Sequence, residues 1–329
     1  MAHRILAEVK KIIPPLTERL HKGQAGRVGV IGGSQDYTGA PYFAAMSALR
    51  LGCDLAHVIC EPDAGQVIKT YSPDLIVHPI LQKDGDQAAI KSELVGILDR
   101  LHAIVIGPGL GRADHMQEYA RLAISTAREQ DKFVVLDADG LWLIQKHPEY
   151  IKGYSRAVLT PNVVEFQRLR EALGIPTDVP AESLASRMSQ ELGDVVILQK
   201  GSHDIVSNGT RSEISNIAGG LKRCGGQGDI LSGTVGTFLA WGRSYEDGGL
   251  DSGDARDAQV DPKDIPLLAA YGASVITRTT SRIAFGKLGR GVVTGDMLGD
   301  IGAAYVELFG EGNDEHSWRG AAVKENGKL

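Results

Sequence analysis

The fold is indicated most strongly by the stretch Gly219-Gly220-Leu221-Lys222-Arg223-Cys224-Gly225-Gly226-Gln227-Gly228-Asp229-Ile230-Leu231-Ser232-Gly233. A glycine-rich loop here leads directly into an apolar helix that begins near Asp229. Glycine lets the backbone turn tightly and lets a ligand approach it closely. The free N–H groups of a helix's first turn, together with the positive end of its dipole, then favour an anion such as phosphate. The stretch therefore predicts a phosphate-binding loop in front of a helix.

Asp229 has two interpretations at this stage. It could be the base that faces a phosphoryl acceptor, because it follows the glycines directly. It could equally be an ordinary capping aspartate, since Asp is among the residues preferred at a helix N-terminus. Short glycine motifs also occur by chance. The local pattern leaves both interpretations open.

Short β-branched runs alternate with helical patterns over most of the chain. The predicted strands are Arg27–Ile31, Leu55–Cys60, Leu75–Pro79, Ala103–Gly107, Phe133–Asp137, Ala157–Leu159 and Val195–Gln199. The predicted helices between them are Pro41–Leu51, Gln87–Arg100, His115–Glu129, Val163–Leu173 and Ala181–Leu192. This alternation is typical of βαβ units. It predicts an α/β fold with a mostly parallel central sheet and helices on both faces.

The second half of the chain adds a hairpin signal. Asn208-Gly209 lies between the predicted strands Asp204–Ser207 and Glu213–Asn216. Asn-Gly is a strong signal for a β-hairpin turn, so we expect an antiparallel edge on the sheet. Two further helical patterns follow, Ile230–Trp241 and Pro266–Phe285.

We expect residues 1–329 to form a single catalytic domain. Residues 246–264 interrupt the pattern, because they carry seven acidic residues against two basic ones and little that could be buried. This composition predicts a solvated, mobile surface loop. Residues 310–329 are similarly polar and predict a frayed tail.

The composition limits the partners and the location of the chain. A net charge of −6 does not favour binding to nucleic acid or to an anionic membrane. The longest apolar runs have the length of strands, too short to span a bilayer. Three cysteines without metal-binding spacing indicate a reducing compartment. We therefore expect a cytoplasmic location, with a mitochondrial one left open by the basic residues near the start of the chain.

Lys200-Gly201-Ser202-His203-Asp204 follows the apolar strand Val195–Gln199. In a parallel sheet this places the segment at the carboxyl end of a strand, where open α/β folds bind their ligands. An ordinary turn is the alternative. We expect the segment to lie beside the glycine-rich loop.

Four polar residues follow two other predicted strands. Asp137 and Asp139 come after one strand, and Asn162 and Glu165 come after the next. Carboxylate and amide oxygens suit a hydrated Mg²⁺ beside nucleotide phosphates. The alternative makes Asp137 a buried acid with satisfied hydrogen bonds and Asn162 a helix cap.

Two nucleotide-binding motifs are excluded by their spacing. The chain has no G-x-x-x-x-G-K-[ST] sequence, which excludes a P-loop. Gly29, Gly32 and Gly33 follow the first predicted strand, but they do not match the G-x-G-x-x-G spacing of a dinucleotide fold. The run Gly107–Gly111 also departs from it, because Arg112 stands at the last position. These glycines still allow close approach of a ligand or of a neighbouring loop.

Seven short motifs occur in the same order as in a known family. They are Val30-Ile31-Gly32-Gly33-Ser34, Lys69-Thr70-Tyr71-Ser72-Pro73, Gly107-Pro108-Gly109-Leu110-Gly111, Asp137-Ala138-Asp139, Thr160-Pro161-Asn162 with Glu165, Lys200-Gly201, and Gly225–Asp229. Together they resemble the ATP-dependent NAD(P)H-hydrate dehydratases of the ribokinase-like superfamily. The resemblance extends from about Gly26 to Leu308 and implies the ribokinase-like fold.

The resemblance implies a hydro-lyase that repairs a damaged cofactor. NADH or NADPH that is hydrated at the nicotinamide ring cannot donate hydride. Members of this family use ATP and Mg²⁺ to phosphorylate the added hydroxyl of the S form, and phosphate then leaves. Because hydroxide is a poor leaving group and phosphate is a good one, a kinase-like site can drive a dehydration.

The resemblance also implies roles for individual residues. Asp229 would activate the hydroxyl, while the N–H groups around Gly226 and Gly228 would hold the charge on the transferred group. Glu165 would help to hold Mg²⁺. The expected ATP-binding residues are Lys200, Gly201, Ser202, His203, Asp204, Gly219, Gly220, Leu221, Lys222, Arg223, Cys224, Gly225, Gly226, Gln227 and Gly228. The expected substrate-binding residues are Gly111, Asn162, Val163, Val164, Glu165, Phe166, Gln167, Arg168 and Asp229.

Bacterial relatives often carry an additional epimerase domain that interconverts the hydrate stereoisomers. Only 25 residues precede Gly26, too few for such a domain. The resemblance therefore implies the eukaryotic stand-alone type, which works with a separate epimerase. The choice of ATP over ADP follows from this type and from no single residue.

Two other functions remain open. A small-molecule kinase of the same superfamily, acting on a vitamin alcohol, could use the glycine loop and Asp229 equally well. The Lys69–Pro73 stretch together with the Gly107–Gly111 loop favours the dehydratase. A non-enzymatic nucleotide-binding regulator is the second alternative, although such a protein would not need Asp229.

Overall fold

The computed structural model describes residues 2–16, 21–248 and 259–310. Within these ranges the strands are β1 (Arg27–Ile31), β2 (Leu55–Ile59), β3 (Ile76–His78), β4 (Ala103–Ile106), β5 (Phe133–Leu136), β6 (Ala157–Leu159), β7 (Val196–Gln199), β8 (Asp204–Ser207) and β9 (Ser212–Ser215). The α-helices are α1 (Ala2–Lys11), α2 (Gly39–Leu51), α3 (Pro62–Tyr71), α4 (Gln87–Asp99), α5 (Asp114–Glu129), α6 (Asp139–Lys146), α7 (Val163–Ala172), α8 (Leu184–Glu191), α9 (Gln227–Glu246), α10 (Ile265–Leu288), α11 (Thr294–Leu298) and α12 (Ile301–Phe309).

All of these strands belong to one sheet, in the order β3-β2-β1-β4-β5-β6-β7-β8-β9. Strands β1 to β7 pair in parallel, whereas β8 and β9 pair antiparallel at one edge. The predicted parallel sheet and its antiparallel edge are therefore confirmed. The β8–β9 turn uses Asn208, whose Oδ1 accepts hydrogen bonds from the N–H groups of Thr210 and Arg211.

The side chains of the inner strands alternate between two hydrophobic cores. On β4, Ala103 and Val105 belong to a core with α2, α9, α10 and α12. Ile104 and Ile106 belong to a second core with the helices α4 to α8. This alternation follows from the two-residue repeat of a strand. The predicted helix layers on both faces are thus confirmed.

Helix α9 packs closely against the centre of the sheet and against α2, because a residue without a side chain lies at each contact. A Cβ at Gly236 would lie 3.0 Å from side-chain carbons of both Val28 and Val105, and one at Gly233 would lie 2.0 Å from the Ala44 carbonyl oxygen. These contacts fix the position of α9. Its N-terminus consequently lies at the carboxyl ends of the parallel strands.

Several boundaries differ from the sequence prediction. Helix α9 begins at Gln227, earlier than predicted, and ends at Glu246, so the first residue of the predicted acidic loop is helical. A single 3₁₀ turn covers Pro262–Asp264. Residues 249–258 of that loop, and 311–329 of the predicted tail, lie outside the described residues. Sequence patterns missed α1, α3, α6, α11 and α12, of which α6 and α11 are too short to show a helical repeat.

Among the described residues, no helix combines the length and the apolar character that crossing a bilayer requires. All three cysteines are free, and two of them, Cys53 and Cys60, are buried. Burial raises the pKa of the Cys60 thiol to about 12. Neither the sheet nor the helices described above depend on a disulfide.

Candidate active site

The centre of the site is a buried ion pair between two strand ends. Asp137 follows β5 and is 2% exposed. Its Oδ1 accepts hydrogen bonds from the Lys200 ammonium, 3.0 Å away, and from the Thr160 hydroxyl, 2.8 Å away. Burial lowers the pKa of Lys200, but the carboxylates of Asp137, Glu165 and Asp229 outweigh this and raise it. Lys200 is therefore a fixed positive charge at the end of β7.

The turn after β5 directs two aspartates to different partners. Ala138 lies between them with φ 47°, a backbone conformation that costs energy for a residue with a side chain. Asp139 accepts a hydrogen bond from the Gly111 N–H at 3.0 Å and one from Arg112 Nε at 3.2 Å. The predicted metal group is thus divided, because Asp137 faces Lys200 and Asp139 faces the loop after β4.

Asn162 and Glu165 form a capping box at the start of α7. The Asn162 side chain accepts from the N–H groups of Val164 and Glu165, while Glu165 Oε2 accepts from the Asn162 N–H at 2.8 Å. The alternative interpretation of Asn162 as a helix cap is therefore correct. Burial raises the pKa of Glu165, against the effect of Lys200 and the Asn162 N–H. Glu165 Oε1 has no hydrogen-bond partner among the residues in the described ranges.

Asp229 is the third residue of α9 and does not cap it. Gly226 is the N-cap residue, and its φ is 99°. Within the part of the chain that the structure describes, the Asp229 carboxylate accepts no hydrogen bond, so the capping interpretation is wrong. Burial, with a smaller contribution from the charge of Asp137, raises its pKa to about 8, although Lys200 opposes this shift. A carboxylate with this pKa can accept a proton near neutral pH.

The first turn of α9 has free backbone donors. The N–H groups of Gln227, Gly228 and Asp229 donate to no acceptor among the described residues, as expected for the first turn of a helix. A Cβ on Gly228 would lie 3.5 Å from the Lys200 ammonium. The loop itself is held by Thr294, whose hydroxyl donates to the Gly225 carbonyl at 2.5 Å. These donors and the nearby ammonium form a site for an anion.

A second buried ion pair holds the segment after β7. Arg278 on α10 donates through Nε and Nη2 to both carboxylate oxygens of Asp204, at 2.9 and 2.7 Å. Asp204 also accepts from the Ser274 hydroxyl and from the Gly201 N–H. Arg278 further donates to the carbonyls of Gly201 and Ser202. The Asp204 carboxylate thus positions this turn, and its oxygens are already engaged.

A cavity of about 450 Å³ lies between α9, α10 and the segment after β7. Eight of the predicted ATP-binding residues line it: Lys200, Gly201, Asp204, Gly219, Arg223, Cys224, Gln227 and Gly228. Its other lining residues are Asn162, Leu231, Thr277, Arg278 and Ser281. The remaining predicted ATP-binding residues do not line this cavity, namely Ser202, His203, Gly220, Leu221, Lys222, Gly225 and Gly226.

Most of the predicted substrate-binding residues lie at the start of α7 and in the loop after β4, whereas Asn162 lines the cavity described above and Asp229 is on α9. Val163 and Val164 are exposed, Gln167 donates to Glu171, and Phe166 is 4% exposed within the second core. The Phe166 side chain therefore packs in the core. Glu165 and Arg168 line a second cavity, described below. Gly111 is close to it through Asp139.

The site contains residues that sequence patterns did not single out. Arg278 on α10 and Thr294 on α11 contact the segments that are predicted to bind ATP, and Thr160 holds Asp137. Only Arg278 had a usable signal. An arginine in a mostly apolar helix needs a carboxylate when it is buried, and its side chain is 11% exposed.

The oxygen donors fit a magnesium ion that keeps most of its water. In the described ranges there is no group of three or more His, Cys, Asp or Glu side chains that could hold a metal by themselves. Glu165 Oε1 and Asp137 Oδ2 are carboxylate oxygens without a hydrogen-bond partner in the described chain. Mg²⁺ is commonly bound by one or two carboxylates together with phosphates and waters, and this donor set matches that pattern.

Residues 28–289 match the family described as NAD(P)H-hydrate dehydratase. The chain is 48% identical over 312 residues to the ATP-dependent (S)-NAD(P)H-hydrate dehydratase of Mycosarcoma maydis. The aligned region covers 93% of this chain and 89% of that protein. A similar structure is that of the ADP/ATP-dependent NAD(P)H-hydrate dehydratase from Bacillus subtilis, co-crystallized with ATP/Mg2+. Its TM-score is 0.65 at 18% identity, and the match covers 92% of this chain and 97% of that one. A ribokinase-like superfamily protein from Enterococcus faecalis gives a TM-score of 0.74 at 19% identity, with coverage of 93% and 95%.

The two structural similarities confirm the ribokinase-like fold expected from the motif order. The sequence similarity extends over almost the whole chain and includes each strand of the parallel sheet. Apart from Thr294, the residues that form the site therefore lie inside residues 28–289. The chain belongs to the NAD(P)H-hydrate dehydratase family.

Proposed function

We propose that the protein catalyses the ATP-dependent dehydration of the S hydrates of NADH and NADPH. The products are NAD(P)H, ADP and phosphate. The observation that carries this proposal is the Asp229 carboxylate, which is half-buried, has a raised pKa and follows directly on the free N–H groups of Gln227 and Gly228. A base beside an anion site is the arrangement that phosphoryl transfer to a hydroxyl requires.

The first step transfers a phosphoryl group. Asp229 takes the proton of the ring hydroxyl, whose oxygen bonds to the γ-phosphorus of ATP while the bond from that phosphorus to ADP breaks. The N–H groups at the start of α9 and the Lys200 ammonium stabilise the charge on the transferred group. The cavity of about 450 Å³ beside Gly228 is large enough to contain a nucleotide.

The second step eliminates phosphate. The carbon–oxygen bond breaks, its electron pair leaves with the phosphate, and the lone pair of the ring nitrogen stabilises the resulting cation. Loss of a proton from the neighbouring ring carbon then restores the reduced nicotinamide. The sum is hydrate plus ATP giving NAD(P)H, ADP, phosphate and a proton. This elimination is chemistry of the cofactor itself, and the protein mainly orients it.

Magnesium is part of the proposal, and when bound it offsets the charge of the ATP phosphates. Glu165 would hold it through Oε1, together with Asp137 Oδ2. The charges of Asp137, Glu165 and Asp229 all raise the pKa of Lys200, and Asp137 Oδ1 lies 3.0 Å from its ammonium. Lys200 limits the repulsion between them and the phosphates.

The proposal also covers the setting of the enzyme. A separate epimerase supplies the S form, and the location is cytoplasmic, which the three free thiols support. We further propose that residues 1–329 act as one catalytic domain, because all described strands share one sheet. The alternative activity, a small-molecule kinase, would leave a stable phosphate ester instead of free phosphate.

The magnesium assignment is tested with Glu165→Gln. We expect this variant to need about 10-fold more Mg²⁺ for half-maximal recovery of nicotinamide absorbance, because one charged ligand is lost. Glu171→Gln is the matched control and should behave like the wild type, because Glu171 is on the same helix and its side chain is bonded, among the described residues, only to Gln167. Full activity in excess chelator would remove magnesium from the proposal.

A further inference from the structure

A second, smaller cavity lies between α6 and α7, next to the reaction site. Its volume is about 120 Å³, and its lining includes Arg112, Trp142, Glu165 and Arg168. Glu165 connects it to the reaction site, because its Oε2 accepts a hydrogen bond from the N–H of Asn162, which lines the larger cavity together with Lys200. A ligand group in this cavity would therefore be close to a molecule bound at Asp229 and Lys200.

Two guanidinium groups at this cavity have unused donors. Arg168 is exposed and forms no ion pair or hydrogen bond with the described residues. Arg112 is bonded only through Nε, to Asp139, so its two terminal nitrogens have no partner in the described chain. The guanidinium group of an arginine forms a fork that can donate two parallel hydrogen bonds to two oxygens of one phosphate. Two such forks at one small cavity favour an anion with several oxygens.

Trp142 organises the positive charge around this cavity. The Arg112 guanidinium carbon lies 5.2 Å from the centre of the Trp142 ring, and the Lys146 ammonium lies 3.7 Å from it. Both contacts are cation–π interactions that restrict the flexible side chains. Three cations, Arg112, Lys146 and Arg168, thus face two carboxylates, Asp139 and Glu165, of which Asp139 is already bonded to the Gly111 N–H.

We propose that Arg112 and Arg168 bind the diphosphate bridge of the hydrated dinucleotide, and that Trp142 is a positioning residue for Arg112. This inference rests on the proposed function. The diphosphate is the anionic group nearest to the nicotinamide ring, since only one ribose separates them. When the ring hydroxyl is at Asp229, the diphosphate extends past Glu165 to the cavity between α6 and α7. Because NADH and NADPH share this bridge, the two hydrates depend on it equally.

The test compares Arg112→Gln and Arg168→Gln with the wild type. Each variant should raise KM for both hydrates by about 10-fold or more, as expected for loss of a charge-assisted hydrogen bond, with the KM for ATP unchanged. Arg187→Gln is the matched control, because Arg187 is exposed and paired with Glu191 on α8. An unchanged KM for the hydrates would overturn the assignment. A change confined to the NADPH hydrate would assign the cluster to the 2′-phosphate and overturn it too.

Trp142 is tested by its own pair of variants. Trp142→Leu should raise KM for the hydrates without lowering kcat, and Trp142→Phe, which retains an aromatic face, should restore most of the affinity. If Trp142→Phe fails to rescue the KM, or if kcat falls instead, the positioning role is wrong.

A binding measurement separates this inference from the proposed function. ADP-ribose contains the diphosphate but no nicotinamide, and its affinity can be measured by calorimetry in the presence of saturating ATP without turnover. Arg168→Gln should weaken its binding by about 10-fold. Weakened binding without any hydrate turnover by the wild type would refute only the proposed function. Normal turnover with unchanged ADP-ribose binding would refute only the diphosphate site.

Discussion

Two regions of the molecule contain several glycines. One consists of the loops that follow β1, β4 and β5, and the other is the loop before α9. The space around the glycines differs between the two regions. A Cβ on Gly32 would lie 1.9 Å from the Pro108 carbonyl oxygen, and one on Gly107 would lie 1.8 Å from that of Asp137. A Cβ on Gly225, by contrast, would meet nothing within 4 Å. Gly32 and Gly107 are therefore enclosed by neighbouring backbone, whereas Gly225 is exposed.

This difference separates two uses of glycine that look identical in sequence. In the β1, β4 and β5 loops glycine allows backbones to touch, which fixes the strained turn at Ala138 and so the direction of Asp137. In the loop before α9 glycine leaves room for a ligand beside free N–H groups. Gly226 combines both uses, because its φ is 99° and its Cβ would lie 2.8 Å from Thr294.

The largest effect is expected at Asp229, in the first turn of α9. Asp229→Asn should lower kcat by about 10²- to 10⁴-fold, because an amide cannot accept the hydroxyl proton. ATP affinity, measured by calorimetry, should be retained, since the N–H groups of α9 are unchanged. Near-normal turnover would show that Asp229 is not the base.

The same variant should be more stable than the wild type at neutral pH. The pKa of the Asp229 carboxyl is raised to about 8 in the folded protein. The free energy of unfolding therefore decreases as the pH rises from the ordinary pKa of an aspartate towards 8, because the unfolded chain ionises first. An amide does not ionise, so the melting temperature of Asp229→Asn should exceed that of the wild type by about 2 °C or more at pH 8 and match it near pH 4. The opposite trend with pH would contradict the raised pKa.

The next effect sharpens the contrast between the two glycine regions. Gly107→Ala should destabilise the fold by about 3 kcal/mol or more, because φ is +126° and the new Cβ would collide with backbone. Gly225→Ala is the matched control and should change the free energy of unfolding by less than about 1 kcal/mol. Denaturant unfolding measures both. Equal losses of stability would show that the two regions do not differ as described.

The smallest effect concerns the pH dependence of the reaction. Below a pH of about 8, kcat/KM should fall as the pH decreases, because Asp229 becomes protonated and can no longer accept a proton. Asp137→Asn should move this fall to lower pH, because the charge of Asp137 contributes to the raised pKa of Asp229. A pH profile that is flat, or that shifts to higher pH in Asp137→Asn, would contradict this electrostatic account.

Much of the fold could be read from the sequence, because buried parallel strands are short apolar runs with clear boundaries. The start of α9 was placed too late, since its N-cap is Gly226 and the helix has no capping side chain to mark it. The short helix α6 was missed because its eight residues give little periodicity.

The site was predictable where the strand ends determine it and not where distant helices complete it. Lys200 and Asn162 follow from their positions after strands and Gly228 follows from the glycine-rich loop, and the structure places all three around one cavity. Arg278 and Thr294 join the site only because α10 and α11 pack against the loop before α9. The spacing of residues along the chain does not predict which distant helices pack against a loop.

The most direct test of the central claim is the product balance of a single reaction. The protein is incubated with ATP, Mg²⁺ and hydrated NADPH, and ADP, free phosphate and recovered nicotinamide absorbance are measured together. The account predicts equal amounts of all three, with no phosphorylated organic product, because Asp229 and the N–H groups of α9 transfer a phosphoryl group that then leaves the ring. A phosphorylated hydrate that persists, or absorbance that recovers without a nucleotide, would contradict it.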